Sequence, residues 1–198
     1  MVKGDSMIRV VQFDRYGPPE VLATVDAPAP EPAAGQVRLK VRAAGVQPFD
    51  CATRRGDFQR WRPLELPGRL GNEVAGTVEA VGDGVGVQVG DDLMAYLDQE
   101  GYASHVVVDV EQTAPKPASM PWNEAGALSV SGQTAFTALD ALDVGPGDRL
   151  LIHAAAGGVG SAAVQLAVIR GATVIGTASE RNHEYLRSIG AVPVAYGP

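Results

Sequence analysis

A glycine-rich turn, set between a short apolar run and a helical pattern, limits the folds open to this chain more than any other segment. Residues 150–152 are Leu, Leu and Ile, as expected for a strand that is buried on both faces of a sheet. Alanines at 154–156 lead into the turn Gly157-Gly158-Val159-Gly160, and apolar residues recur at helical spacing over residues 159–170. Because glycine has no Cβ and tolerates positive φ, this turn can bring backbone N–H groups close to a phosphate at the start of the helix.

A second strand is predicted directly after this helix, over residues 172–177. Strand, turn, helix and strand in this order form the setting that the dinucleotide-binding fingerprint G-x-G-x-x-G requires. The match is incomplete, because Ala155 stands where the fingerprint has its first glycine. The alternative is a tight turn in an ordinary α/β unit, but the flanking strand and helix favour a nucleotide-binding turn.

Charge and cysteine content argue against several classes of function. The net charge of −7 argues against nucleic-acid binding, and the single cysteine, Cys51, can form neither a disulfide framework nor a four-cysteine zinc lobe. A reducing, cytoplasmic location is therefore expected. One arginine cluster is predicted to lie on a solvent-exposed loop, although arginines beside a nucleotide cleft could also meet phosphate. The cluster comprises Arg54, Arg55, Arg60, Arg62 and Arg69.

No membrane segment is predicted, because no run reaches eighteen apolar residues. Residues 1–6, before Met7, lack the apolar core of a signal peptide, and we expect them to be a short leader or an expression remnant. Neither a membrane nor a nucleic acid is therefore expected as a partner.

Short strands and glycine turns dominate the first part of the chain. Residues 36–42 alternate strictly between apolar and basic side chains, the pattern of a strand with one face in water. The proline-rich residues 26–35 are predicted to be a loop, since proline donates no hydrogen bond inside a sheet. These features indicate a compact antiparallel barrel or sandwich up to about residue 117. The other strands are predicted at residues 7–13, 71–82, 87–96 and 102–108.

Helical patterns begin later in the chain. Alanine and leucine recur at helical intervals over residues 121–128 and 132–142. We therefore expect a change of domain between residues 117 and 132, in a chain of the α/β class with a β-rich domain. The predicted division is a β-rich domain over residues 1–122 and a nucleotide-binding domain over residues 123–198.

Five stretches, taken in chain order, are similar to one known family. They are Ala43-Ala-Gly-Val-Gln-Pro-Phe-Asp50, Gly71-Asn-Glu-Val-Ala-Gly-Thr-Val-Glu-Ala-Val-Gly82, Val89-Gly-Asp91, Gly132-Gln-Thr-Ala135 and His153-Ala-Ala-Ala-Gly-Gly-Val-Gly160. Together they resemble the medium-chain dehydrogenase/reductases, specifically the zinc-free branch of quinone oxidoreductases (zeta-crystallin-like) and enoyl reductases. The resemblance implies a GroES-like barrel followed by a Rossmann domain, with a small-molecule substrate bound between them.

The resemblance also implies whether a metal ion is expected and which residues contact the substrate. Zinc-dependent relatives place a cysteine and a histidine where this chain has Gln47 and Asn72, so no metal is expected. In the zinc-free branch, NADPH supplies hydride to a quinone or an α,β-unsaturated carbonyl compound. Gln47 and Thr134 match the family's active-site motifs and are candidates to contact substrate or nicotinamide, although a structural role is the alternative for each. Asp50 is expected instead to pair with an arginine or to cap a helix.

The end of the second Rossmann strand argues for NADPH rather than NADH. An NAD-binding strand normally ends on an acid that holds the ribose 2′-OH. The resemblance puts Ala178 there, followed by Ser179 and Arg181, which suit a 2′-phosphate, whereas Glu180 argues the other way. Tyr196 matches a family tyrosine on the next strand. The predicted cofactor-binding residues are Ala156, Gly157, Gly158, Val159, Gly160, Ser179, Arg181 and Tyr196.

The predicted Rossmann segment is only partial. Three parallel strands are expected, at residues 150–154, 173–177 and 192–195, whereas a full dinucleotide fold has about six. One hypothesis is a fragment of an NADPH-dependent reductase that is a homodimer in its longer parent. The other is a non-catalytic nucleotide-binding or interaction module derived from that family.

We predict that a protein of residues 1–198 will not turn over substrate, because the half-domain that positions the nicotinamide is not predicted within this sequence. Roughly 7–11 kcal/mol of the barrier to hydride transfer can depend on such positioning. The assay is NADPH oxidation with a quinone and with an enoyl thioester, on protein whose measured mass ends at Pro198. Turnover at ordinary enzyme rates would contradict the prediction.

Overall fold

Two units make up residues 7–196, the part of the chain that the computed structural model describes. The first unit ends at Ser129 and the second begins at Val130, whereas the sequence pattern placed a domain boundary between residues 122 and 123. The predicted leader at residues 1–6 lies outside the described residues, as do residues 197–198.

Two antiparallel sheets form most of the first unit. Its strands are β1 Met7–Phe13, β2 Ala23–Pro28, β3 Gln36–Ala44, β4 Gly68–Arg69, β5 Glu73–Val81, β6 Asp92–Tyr96, β7 His105–Asp109 and β8 Thr113–Pro115. Its α-helices are α1 Pro48–Arg55 and α2 Trp122–Ala125. One sheet has the strand order β2-β1-β4 and the other has the order β7-β3-β5-β6-β8. This β-rich unit agrees with the predicted fold class.

Strand β3 shows why the first unit folds around an apolar core. Val37 and Leu39 are fully buried, whereas Arg38 lies on the opposite face and binds Glu79. Full burial of such aliphatic side chains stabilises a fold by about 1.5–3 kcal/mol each. The strict alternation predicted for residues 36–42 is therefore confirmed.

Two valine-rich sequence patterns predicted strands that start earlier than the strands in the structure. β6 begins only at Asp92, because the backbone N–H of Gln88 donates to the Asp91 carboxylate (2.9 Å) and closes a turn before the strand. β7 begins only at His105. Both strands exist as predicted, but a local hydrogen bond precedes β6, whereas the residues before β7 bond to distant segments, as in Ser104 N–H to the Arg9 carbonyl.

The loop predicted at residues 26–35 starts too early. β2 continues to Pro28, which faces Met7 of β1 in the antiparallel register. Proline is tolerated there because β2 lies at the edge of its sheet, where its missing N–H leaves no strand partner unsatisfied. The loop prediction is therefore wrong for residues 26–28.

The predicted arginine cluster is partly exposed, as expected, but several of its guanidinium groups bind protein partners. Arg54 is only 9% exposed, and its guanidinium donates to a backbone carbonyl. Arg55 pairs with Asp57, and Arg62 pairs with Asp98. Exposed ion pairs of this kind contribute at most about 1 kcal/mol, but they leave little free positive charge for an anionic partner.

A three-stranded parallel sheet and its helices form the second unit. Its elements are α3 Ser129–Ala141, which begins at the last residue of the first unit, β9 Arg149–Ile152, α4 Gly158–Ile169, β10 Thr173–Thr177, α5 His183–Ser188 and β11 Ala191–Val194. The strand order is β11-β10-β9, and an apolar core that includes Val164, Val174 and Leu186 lies against the sheet. Across residues 7–196, no helix is both long enough and apolar enough to cross a membrane.

Strand β9 differs from its prediction in length and in burial. It ends at Ile152, because the chain turns at Ala154, which adopts a φ of +52°. Leu151 is 54% exposed, so the expectation of a strand buried on both faces is wrong. Within the described residues, β9 pairs with β10 on one side and its outer edge has no strand partner.

Gly76 of β5 lies so close to β3 that a side chain has no room. A Cβ on Gly76 would lie 2.5 Å from the Lys40 carbonyl oxygen. We predict that Gly76→Ala lowers the free energy of unfolding by about 2 kcal/mol, because backbone cannot move aside as a flexible side chain can. In the control, Gly86→Ala, the Cβ meets open space, and we expect a change below about 1 kcal/mol. Urea unfolding followed by circular dichroism measures both variants, and equal effects would contradict the packing argument.

Candidate functional site

A tight turn joins β9 to α4 and brings backbone N–H groups together at the start of the helix. Ala154 adopts the left-handed conformation, and the N–H of Gly157 donates to its carbonyl oxygen (2.9 Å). α4 begins at Gly158, so its first N–H groups have no carbonyl partner within the helix. Because a helix N-terminus carries partial positive charge, such a turn can bind a phosphate.

Small residues let α4 approach the strands closely. A Cβ on Gly160 would overlap the Ala154 carbonyl oxygen and would lie 2.7 Å from the Ala155 Cα. Ala155 is fully buried, and Gly176 of β10 leaves room for its methyl group, since a Cβ on Gly176 would lie 2.8 Å from the Ala155 Cβ. Alanine can therefore replace the first glycine of the fingerprint, because the neighbouring strand has a glycine opposite to it.

A groove of about 500 Å³ lies at the carboxyl ends of the parallel strands, where α/β folds of this type bind ligands. Half of the predicted cofactor-binding residues line it, namely Ala156, Gly157, Ser179 and Tyr196. The other lining residues are His153, Ala154, Thr177, Ala178 and Asn182. The structure thus brings together the glycine turn, the end of β10 and Tyr196, which lies two residues beyond the end of β11.

The remaining predicted cofactor residues lie outside this groove. Gly158, Val159 and Gly160 form the first turn of α4 and line a neighbouring groove of about 430 Å³ beside β9. Arg181 is exposed, in a short 3-10 turn after β10, and lines neither groove. The assignment of these residues to the cofactor stays a prediction.

Three polar residues of the groove were not assigned from the sequence. Nδ1 of His153 lies 3.2 Å from Oγ1 of Thr177, and Nδ2 of Asn182 donates to Oγ of Ser179 (3.2 Å). Their positions in the sequence could have identified two of them, because His153 directly follows β9 and Thr177 ends β10. Since the carboxyl ends of neighbouring parallel strands meet at one edge of the sheet, polar residues at both ends form one site.

In the first unit, Asp50 holds Gln47 at the N-terminus of α1. The Gln47 backbone N–H donates to the Asp50 carboxylate (2.7 Å), which also accepts from the N–H of Gly71 (3.1 Å) and the hydroxyl of Tyr102 (2.9 Å). The expectation that Asp50 caps a helix is confirmed. Burial and the nearby Asp50 carboxylate raise the pKa of Tyr102 above its usual value, so the phenol stays a hydrogen-bond donor at neutral pH.

A second carboxylate, that of the fully buried Glu73, accepts a hydrogen bond from the side-chain amide of Gln47. Gly45 leaves the space that the Glu73 side chain fills, because a Cβ on Gly45 would overlap it. Nδ2 of Asn72 donates to the Leu97 carbonyl (3.2 Å). Two buried acids therefore fix both the backbone and the side chain of Gln47. In the described part of the chain, His, Cys, Asp and Glu side chains form no group of three that could hold a metal ion.

Thr134 lies on an exposed face of α3. Its hydroxyl donates to the carbonyl of Val130, one turn earlier in the helix (2.7 Å). The hydroxyl proton is therefore engaged within the helix, although the oxygen can still accept a hydrogen bond. Gln47 belongs to the first unit and Thr134 to the second, and the catalytic role of each remains a prediction.

The close contact between α4 and the turn gives a test of the site's geometry. We predict that Gly160→Ala lowers the free energy of unfolding by about 2 kcal/mol, because the new methyl group would overlap turn backbone. Ala154→Gly is the control, since it replaces a left-handed alanine, and we expect a change within about 1 kcal/mol. Equilibrium urea unfolding measures both, and wild-type stability of the Gly160→Ala protein would refute the close approach.

Comparison with known proteins gives consistent results. Residues 33–118 match the alcohol dehydrogenase GroES-like domain. The synaptic vesicle membrane protein VAT-1 homolog of Mus musculus is 42% identical over 171 residues, which are 84% of this chain and 42% of that protein. The quinone oxidoreductase of Rattus norvegicus is 35% identical over 190 residues, which are 94% of this chain and 57% of that protein. The chain thus spans about half the length of the curated relatives that it matches.

Solved structures agree with the sequence matches. The quinone oxidoreductase from Coxiella burnetii superposes with a TM-score of 0.87 at 37% identity, over 97% of this chain and 62% of that chain. The Escherichia coli quinone oxidoreductase, solved in complex with NADPH, superposes with a TM-score of 0.85 at 31% identity, over 95% of this chain and 58% of that chain. With the β-rich unit, the parallel sheet and its glycine turn, these matches show that the chain belongs to the quinone oxidoreductase branch of the medium-chain dehydrogenase/reductases.

Proposed function

We propose that the protein is an NADPH-dependent oxidoreductase that reduces a quinone or an enoyl compound by hydride transfer, without a catalytic zinc ion. The observation that carries the proposal is the groove at the carboxyl ends of β9, β10 and β11, which begins at a glycine turn and has no acid at the end of β10. The chain spans only part of its relatives, so the proposal concerns the activity of the whole protein.

The groove has the chemistry that an adenine dinucleotide phosphate needs. The first turn of α4 offers the pyrophosphate backbone N–H groups that have no carbonyl partner within the helix. Ala178 stands where an NAD-binding protein has an acid, while Ser179, Asn182 and Tyr196 give the same end of the groove hydrogen-bonding side chains. The NADPH bound by the related Escherichia coli enzyme supports this choice. When bound, NADPH supplies the hydride.

Gln47 is the residue that we propose to stabilise the substrate's developing oxyanion. Its amide nitrogen has two N–H groups, of which one donates to Glu73 and the second is available to a substrate oxygen. Because Asp50 and Glu73 fix the backbone and the amide, the donor is held in place before substrate binds. Such preorganisation lowers the barrier, since no side chain has to reorganise as charge develops.

The residues at the positions of the zinc ligands support a metal-free mechanism. Gln47 and Asn72 are neutral amides, which are poor ligands for Zn²⁺ compared with cysteine and histidine. Both amides are also engaged in protein hydrogen bonds, to Glu73 and to the Leu97 carbonyl. Hydrogen bonding from the protein therefore takes over the polarising role that zinc has in related dehydrogenases.

We predict that Arg181→Ala weakens NADPH binding about tenfold and leaves NADH binding almost unchanged, because the guanidinium would meet only the 2′-phosphate. Arg187→Ala is the matched control, since Arg187 is also exposed and lies on α5. Calorimetric titration of each variant with both nucleotides is the measurement. Equal losses for NADPH and NADH would refute the assignment of Arg181, and a wild-type protein that binds neither nucleotide would refute the proposed function.

A further inference from the structure

We propose that His153 is a cofactor-binding residue, held by Thr177 so that its Nε2–H donates to an oxygen of the bound nucleotide. The inference rests on the proposed function, because it assigns a residue to the same groove. It adds a contact on the strand β9 side, whereas the residues predicted from the sequence lie in the glycine turn and at the ends of β10 and β11.

Thr177, whose hydroxyl holds His153, is only 9% exposed. Its Oγ1 accepts a hydrogen bond from the backbone N–H of Ala154 (3.3 Å) and lies 3.2 Å from Nδ1 of His153. A buried hydroxyl proton without an acceptor would cost about the free energy of a lost hydrogen bond. Within residues 7–196, Nδ1 of His153 is the atom at hydrogen-bond distance that can accept this proton.

This arrangement fixes the tautomer of the neutral imidazole. If Thr177 donates to Nδ1, the ring proton sits on Nε2, since a neutral imidazole has one donor and one acceptor nitrogen. The relay runs from the Ala154 N–H through the Thr177 hydroxyl to His153, and each donor in it has an acceptor. The reverse arrangement, with a proton on Nδ1, would leave the Thr177 hydroxyl proton without one.

The placement of the ring decides which ligand the Nε2–H meets. Nδ1 is turned to Thr177 on the neighbouring strand, and the exposed ring lines both this groove and the neighbouring groove beside β9, so its opposite side is left for a ligand bound at the strand ends. The side chains that line this groove, from His153 to Tyr196, include no carboxylate. A wall with hydrogen-bond donors and no acid favours a ligand rich in anionic oxygens, which is the chemistry of a nucleotide phosphate.

Variants of His153 and Thr177 separate donation by Nε2 from a purely structural role. His153→Gln keeps an N–H donor near the position of Nε2, whereas His153→Phe keeps a planar ring and has no donor. We expect NADPH binding to weaken about tenfold in His153→Phe and to stay within about threefold of wild type in His153→Gln. Thr177→Ser keeps the relay, and Thr177→Val breaks it.

The experiment combines calorimetric titration of the full chain with NADPH and nitrogen-15 NMR of the imidazole. We expect the wild-type His153 spectrum to show the Nε2–H tautomer, and Thr177→Val, unlike Thr177→Ser, to lose that preference. A structural role alone would weaken His153→Gln and His153→Phe equally. Circular dichroism identifies any variant that does not fold. The folded variants and the NMR spectrum then decide whether Nε2 of His153 donates to the nucleotide.

The possible failures can be told apart. If wild type and His153→Phe bind NADPH equally well, or if the spectrum shows the proton on Nδ1, the inference is overturned and the proposed function stands. If the wild-type protein does not bind NADPH at all, the proposed function is overturned together with the inference.

Discussion

The second unit depends on the close approach of α4 to the ends of β9 and β10. That approach is possible only because Gly160 has no Cβ to overlap the turn and because Gly176 makes room for the methyl group of Ala155. If the helix started farther from the sheet, its free N–H groups would not lie beside the groove that the strand ends form. The absence of a Cβ atom at Gly160 and at Gly176 therefore lets the helix terminus, the turn and the polar residues at the strand ends lie close together.

Local features of this site were predictable from the sequence, and features that depend on neighbouring elements were not. The turn at Gly157 and the helix after it follow from residue types alone, because glycine and helical spacing act over short distances. The exposure of Leu151 depends on whether another element packs on that face of β9, which no local pattern reveals. Arg181 was assigned to the 2′-phosphate of the cofactor from its position after β10. The 3-10 turn that contains it lies outside the groove lining, and the assignment stays a prediction.

The first unit shows how buried carboxylates can hold a side-chain amide in place. A buried carboxylate is costly unless it is paired, and Asp50 is stabilised by two backbone N–H groups and the Tyr102 hydroxyl. Glu73 accepts from the Gln47 amide. The resemblance predicted that Gln47 and Asn72 stand where zinc-dependent relatives have metal ligands. The sequence could not show that Gln47 would bind Glu73, because strand β5 and the N-terminus of α1 meet only in the folded unit.

The unpaired outer edge of β9 has a consequence for the order of folding. β9, β10 and β11 follow one another in the chain and are neighbours in the sheet, so each pairing closes only one helical crossover. Any strand that pairs with the outer edge of β9 must come from outside this segment and must close a longer loop. The parallel sheet would thus grow outward from β10, with the exposed Leu151 among the last of its side chains to be covered.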